Sequence, residues 1–204
     1  MNNTIITIGR QFGSGGREIG EKLSKKLDIP FYDKDLLKRA AKESGLCEEI
    51  FENFDEKPSS SFLYSLVMDP YSLGYSNNGF DLPLNHKVFL AAFDTIKKIA
   101  DEGACIIVGR CADYVLQDYT NCINLFIHAP LEDRIKRISM KYDLPENKAK
   151  DMIYKKDKQR ASYYNYYSNS KWADIKNYHL SINSSMLGID GTVDMIEDLI
   201  QRKK

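Results

Sequence analysis

One stretch near the start, Ile5 to Leu27 (IITIGRQFGSGGREIGEKLSKKL), constrains this chain more than any other. Ile5 to Ile8 is a largely apolar run and predicts a buried strand. Glycines at 9, 13, 15 and 16 predict a turn, and Ile19, Leu23 and Leu27 then recur at helical spacing. A strand passing into a helix through a glycine turn aims successive backbone N–H groups at one point, which suits an anion. Gly13, Ser14, Gly15, Gly16, Arg17 and Glu18 are therefore read as a candidate phosphate cradle.

The chain has 204 residues, enough for one α/β domain spanning 1–204. Lys and Arg number 29, and so do Asp and Glu. That balance removes one argument for a nucleic-acid partner, though a local basic site remains open. Cys47, Cys105, Cys111 and Cys122 show no paired short spacing and no zinc pattern, and Cys105 and Cys122 sit in apolar runs that predict buried thiols. The first residues, MNNTIITIG, do not read as a signal peptide, and no apolar run approaches membrane-spanning length. A cytoplasmic, small-molecule-binding protein is the expectation, with a homo-oligomer left open.

Short apolar strands alternate with helices along the chain. Phe31-Tyr32 is a brief second strand ending at Asp33, followed by a helix from Asp35 to Ser44 and a short one from Leu46 to Phe54. Residues 55–84 are rich in Ser, Asn, Gly and Pro, yet carry Phe62, Tyr64, Tyr71, Tyr75 and Phe80. They predict an insertion that is helical from Ser60 to Val67 and irregular after it, within an acceptor-side segment spanning 33–100. Asn85 to Ala100 predicts a helix, Ala104 to Val108 a strand closed by Gly109-Arg110, and Ala112 to Leu116 a short helix. Asn121 to His128 predicts a strand. Helices follow from Pro130 to Lys141 and from Pro145 to about Tyr167, then a strand from Tyr178 to Ile182 and a helix from Ile189 to Ile200. Strands apolar at consecutive positions fit a parallel sheet covered on both faces, with ligands at the strands' carboxyl ends.

Motif matching alone leaves the glycine turn undecided. The pattern G-x-x-x-x-G-K-[ST] fails: with Gly15 as its second glycine, Arg10 stands at the first glycine and Gly16 at the lysine. The pattern G-x-G-x-x-G fails at Glu18, although Asp33 lies where that motif's ribose acid would. A generic turn is the third reading. Other charges favour phosphate. Arg110 follows a strand directly, where a guanidinium reaches a phosphate bidentately or makes a structural ion pair. Arg134 and Arg137 share one helical face, Asp157 and Arg160 another, with Lys155, Lys156 and Lys158 nearby. Together they suggest a basic cover over an anion, and phosphoryl transfer needs little beyond such charges and exclusion of water.

At this point the chain resembles the cytidylate kinase-like family, a nucleoside monophosphate kinase branch of the P-loop NTPases. The segments that carry the resemblance are TIGRQFGSGGREIGEKLSKKL at 7–27, PFYDKDLL at 30–37, IIVGRCADYVL at 106–116, LFIHAPLEDRIKRI at 125–138 and DKQRASYYNYYSNSKWADIKNYHLSINSS at 157–185. The resemblance implies a three-layer α/β/α P-loop fold with a five-stranded parallel sheet, an inserted acceptor-side segment and a lid across 142–177. It implies ATP and Mg²⁺ as cofactors and a nucleoside monophosphate such as CMP, or another small phosphate acceptor, as partner. It puts Arg110 on the acceptor, Arg134 on the phosphate side, and Asp157 and Arg160 on the lid.

This chain departs from the family where the loop lysine and the Mg²⁺ hydroxyl would stand, at Gly16 and Glu18. The cytidine-side D-T-G-A-x-Y-R segment is replaced by YDKDLL, and Tyr154 takes an earlier lid aspartate's place. Arg17 is expected to take over the lysine's charge and Glu18 to help hold the metal. Asp33 and Asp35 are candidate acceptor contacts, with helix capping the plainer role for Asp35. Tyr163, Tyr164, Tyr166, Tyr167 and Trp172 either stack on a base or dock the lid onto the body. His86, His128 and His179 have no triad-like partners. The competing function is nucleotide binding or regulation without turnover, and a purely structural role is third.

Overall fold

Strand β1 (Ile5–Arg10) runs down the middle of a five-stranded sheet ordered β2-β3-β1-β4-β5. Its neighbours are β3 (Cys105–Val108) and β4 (Cys122–His128); β2 (Phe31–Tyr32) and β5 (Leu180–Asn183) form the edges. Every pairing is parallel. The computed structural model describes residues 3–45 and 84–202. The expected helix from Leu46 to Phe54, the helical stretch from Ser60 to Val67, the irregular insertion and Cys47 lie outside the described residues.

The consecutive apolar positions of β1 serve two layers. Ile5 packs with Leu36, Ala40, Val88, Ala92 and Ile96 from α2 (Asp35–Ser44) and α3 (Leu84–Glu102). Ile6 and Ile8 pack with Ile19 and Leu23 of α1 (Gly16–Leu27) and Val193 and Ile196 of α7 (Ser184–Arg202). Helices on both faces make the fold a three-layer α/β/α sandwich of P-loop NTPase type. Cys105, Cys111 and Cys122 are buried and outside any disulfide, and burial pushes the Cys105 thiol up to about 12. No described helix is long and apolar enough to cross a membrane.

Helix α4 (Ala112–Val115) follows β3 at once. Between β4 and β5 the chain builds α5 (Leu131–Tyr142) and α6 (Glu146–Ser168), which pack on each other through Ile138, Ala149 and Ile153. The aromatic string of α6 takes the docking role. Tyr167 stacks on Phe89 of α3 with ring centroids 3.9 Å apart, Tyr163 and Tyr164 are buried with Cys111, and Trp172 meets Phe126 edge-on. The Tyr164 hydroxyl also donates to Asp113 at 2.7 Å.

Three boundaries differ from expectation. β1 does not stop at Ile8: Gly9 and Arg10 stay in register with Phe126 and Ile127, because β4 is long enough to pair with them. The last strand starts at Leu180, since residues 175–177 form a 3₁₀ turn capped by the Asp174 side chain. The final helical segment starts at Ser184 and is broken at Gly188, whose φ of 68° and ψ of −176° explain why its apolar periodicity starts only at Ile189.

The sheet's central residues set its stability. Ile8→Ala, at a fully buried position between β3 and β4, is expected to cost about 2–5 kcal/mol in urea unfolding with an unchanged m-value; a loss below about 1 kcal/mol would contradict this packing.

Candidate functional site

At the carboxyl end of β1 residues 11–15 turn back and α1 begins at Gly16. Gly13 and Gly15 hold φ values of 82° and 84°, which side-chain-bearing residues rarely adopt. The first bond of α1 runs from the Ile19 N–H to the Gly15 carbonyl, so the N–H groups of Gly16, Arg17 and Glu18 have no acceptor within the helix. With the helix dipole behind them they form an anion-seeking end. Ser14 is turned inward: its hydroxyl donates to the Gln11 carbonyl at 2.9 Å, and its own carbonyl accepts from Ser184 Oγ at 2.6 Å.

Helices α5 and α6 clasp this loop from one side. The Phe12 N–H donates to Asp157 Oδ1 at 2.7 Å. Arg134 Nη1 donates to Asp157 Oδ2 at 2.6 Å and to the Phe12 carbonyl at 3.3 Å. Arg160 lies over the Phe12 ring, 5.6 Å from its centroid, and donates to the Arg10 carbonyl at 3.2 Å. Arg137 Nη1 donates to the Gly13 carbonyl at 2.6 Å.

On the opposite side a buried carboxylate gathers three arginines. Asp33 Oδ1 accepts from Arg110 Nη1 at 2.5 Å and Oδ2 from Arg17 Nε at 2.8 Å, while Arg10 Nη2 stands 4.0 Å from Oδ1. Burial alone would raise the Asp33 pKa. The charges of Arg110 and Arg10, with hydrogen bonds from Arg110 and Arg17, outweigh it and hold the carboxyl below its usual value. Arg110 is buried and is anchored also to the Val108 carbonyl at 3.0 Å. Arg17 differs, with a side chain 60% exposed.

Between clasp and cluster opens a cleft of about 900 Å³. Among the described residues eight cations line it (Arg10, Arg17, Lys34, Arg110, Arg137, Lys141, Lys156 and Arg160) against two carboxylates, Glu18 and Asp33. A chain with no net charge thus concentrates positive charge at one edge of its sheet.

Residues 5–186 match the cytidylate kinase-like family. The chain belongs to that family. Among related proteins, a cytidylate kinase from Methanosphaera stadtmanae is 28% identical over 207 residues, covering 98% of this chain and 99% of its own. One from Methanococcus vannielii is 26% identical over 201 residues, with 97% and 99% covered. Among solved structures, an uncharacterized protein from Eubacterium ventriosum aligns with a TM-score of 0.72 at 29% identity, over 97% of this chain and 98% of that one. A shikimate kinase from Bacteroides thetaiotaomicron shares the fold, with a TM-score of 0.56 at 14% identity over 97% and 98% of the two chains.

The structure brings Gly13, Gly15, Gly16, Arg17, Glu18, Asp33, Arg110 and Arg160 into the lining of one cleft. Arg134 and Asp157 lie behind the loop and hold each other and Phe12. Asp35 stands outside: it is the exposed first residue of α2, the capping position belongs to Lys34, and no side chain makes the cap bond. The capping role expected for Asp35 is therefore not taken, because the helix begins one residue too early for it. Glu18 sits on the cleft rim, 3.7 Å from Lys22 one turn on. None of the three histidines lines the cleft. Sequence reasoning passed over Arg10, treating it only as a failed glycine. The usable signal was a cation at the carboxyl end of the central parallel strand.

Two outcomes follow from these ion pairs. Asp157→Ala leaves the buried Arg134 charge and the Phe12 N–H without their acceptor, and is expected to cost about 3–5 kcal/mol in thermal unfolding. The pair Arg134→Met and Asp157→Leu should recover much of that loss, and no recovery would show that the buried charge is not the cause. Because the folded pKa of Asp33 is depressed, its stabilisation is complete above the unfolded value of about 3.9 and is lost as pH falls through the folded value. Asp33→Asn should therefore be least stable relative to wild type at neutral pH, with the gap narrowing below about pH 4; a gap independent of pH would contradict the charge cluster.

Proposed function

We propose that this protein transfers the γ-phosphoryl group of ATP to a small acceptor, with a nucleoside monophosphate as its class and CMP as the first candidate. The observation that carries this reading is the convergence of cations from six separate elements, or the turns that follow them, on the cleft between the glycine loop and Asp33. The cytidylate kinases among its relatives supply the candidate acceptor.

In this reading the free N–H groups at the start of α1 hold the donor's phosphates, and Arg160 and Lys156 cover them from the lid side. Arg17, tied to Asp33 through Nε alone, presents the outer edge of its guanidinium to the transferring phosphoryl group. Arg110 faces the acceptor. Asp33, held ionised among arginines, orients guanidinium groups and is a poor general base. Arg134 and Asp157 are positioning residues that fix Phe12 and hence the loop. Catalysis is then placement and charge stabilisation, which is most of what phosphoryl transfer requires.

Among the described residues no group of three or more His, Cys, Asp or Glu gathers to hold a metal. Glu18 supplies one exposed carboxylate at the rim, which fits Mg²⁺, an ion that keeps several waters and binds through one or two carboxylates plus substrate phosphates. When bound there, it would neutralise phosphate charge.

A second reading, nucleotide binding without turnover, is favoured by one observation: Gly16 occupies the lysine's place in the loop. ATP-dependent transfer with Mg²⁺ across nucleoside monophosphates and nucleosides separates the two. Turnover on one acceptor, reduced about 10²–10³-fold in Arg110→Ala, is the expected result. ATP binding with no turnover on any acceptor would move the assignment to the second reading.

A further inference from the structure

The loop's missing lysine and its misplaced arginine occupy the same space. Gly16 opens α1 directly above the end of β1. A Cβ built on it would stand 2.7 Å from the Arg10 Cβ, 3.2 Å from the Ile127 Cβ and 3.3 Å from the Arg10 Cγ. These are the stiff roots of side chains on two paired central strands, so neither moves without the sheet. Residues 10 and 16 cannot both carry side chains here. The pattern G-x-x-x-x-G-K-[ST] obeys the same exclusion, with glycine at the first position and lysine at the second. This chain has the two exchanged, arginine first and glycine second.

We infer that Arg10 is the phosphate-binding cation that stands in for the loop lysine, and that Gly16 is glycine to make room for it. The inference rests on the phosphoryl-transfer reading of the cleft and names the residue that makes its loop work. Other cations in the cleft are differently placed. Arg137 braces the outside of the loop through the Gly13 carbonyl, Arg160 arrives from the lid, and Arg17 leans away from the helix to Asp33. Arg10 alone of these begins beneath the first turn of α1. It is buried, it lines the cleft, and its guanidinium stands 4.0 Å from Asp33.

The exchange also gives Asp33 a purpose. A lysine is a compact point charge, whereas a guanidinium is a planar fork that must be held in orientation. Asp33, 4.0 Å from the Arg10 guanidinium, draws that fork toward the cleft. Arg10 then lies between donor and acceptor, where charge develops during transfer.

The test is calorimetric titration of the full chain with ATP and with inorganic tripolyphosphate, alongside thermal unfolding. Arg10→Met keeps the stem and removes the charge. It should unfold at a somewhat lower temperature, since Asp33 loses one of its three cations, yet remain folded at the titration temperature and bind both probes about 10-fold or more weakly. Arg10→Gly should lose affinity too, and Arg10→Gly with Gly16→Lys should regain it. Gly16→Ala should lower the unfolding temperature in the wild-type background and lose most of that effect beside Arg10→Gly. Wild-type binding that Arg10→Met leaves unchanged would overturn this inference and leave the function standing, as would a Gly16→Ala effect indifferent to residue 10. Binding of neither probe by the wild type would overturn the phosphate reading itself, and the inference with it.

Discussion

The site depends on keeping one carboxylate ionised in a buried place. Asp33 closes the short edge strand β2 with almost no solvent contact, and a lone charge there would be costly. Three guanidinium groups make the burial tolerable, and in doing so each acquires a fixed direction. Arg110 is anchored by its own strand's carbonyl as well, and Arg17 is held through one nitrogen and left open on its outer edge. The surplus positive charge of this cluster is what the cleft offers a ligand.

A second buried ion pair fixes the other side. Asp157 and Arg134 satisfy the N–H and carbonyl of Phe12 at once, so the first half of the glycine loop is held by α5 and α6. Helix α6 is in turn held to the body by stacked and edge-on rings rather than by the loop alone. The loop, α6 and the Asp33 cluster thus share one frame, the carboxyl ends of a parallel sheet whose strand order changes direction at β1. Preorganised charge of this kind stabilises a transition state without reorganising during the reaction.

Much of this was legible in the chain. Runs such as Ile5 to Ile8, broken only by the buried Thr7, and Cys105 to Val108 are apolar on both faces of the strand, as a sheet covered on both sides requires. The helical spacing of Ile19 and Leu23, or of Val88, Ala92 and Ile96, named the faces that became core. The placement of the glycine loop and Arg110 at the cleft was legible because a residue just past a parallel strand has few directions to face. The division of labour among the charges was not legible. Nothing in the spacing said that Arg134 and Asp157 would turn behind the loop while Arg137 lined the cleft, because two residues three apart on a helix share a face but not a partner. Arg10 was hidden by the motif itself, which records a failed glycine and not the volume that an arginine fills. Boundaries slipped where tertiary pairing outran local pattern, as at Gly9 and Arg10, or where a single backbone angle intervened, as at Gly188.

The central claim is that donor and acceptor phosphates meet in the one cleft between the loop and Asp33. Binding of a single molecule that joins adenosine to a second nucleoside through five phosphates tests it most directly, without requiring turnover. The account predicts that one such compound binds far more tightly than ATP or the matching monophosphate alone, and that Arg110→Ala removes the gain. A series of these compounds, varied in the second nucleoside, in which none binds more tightly than ATP would contradict it.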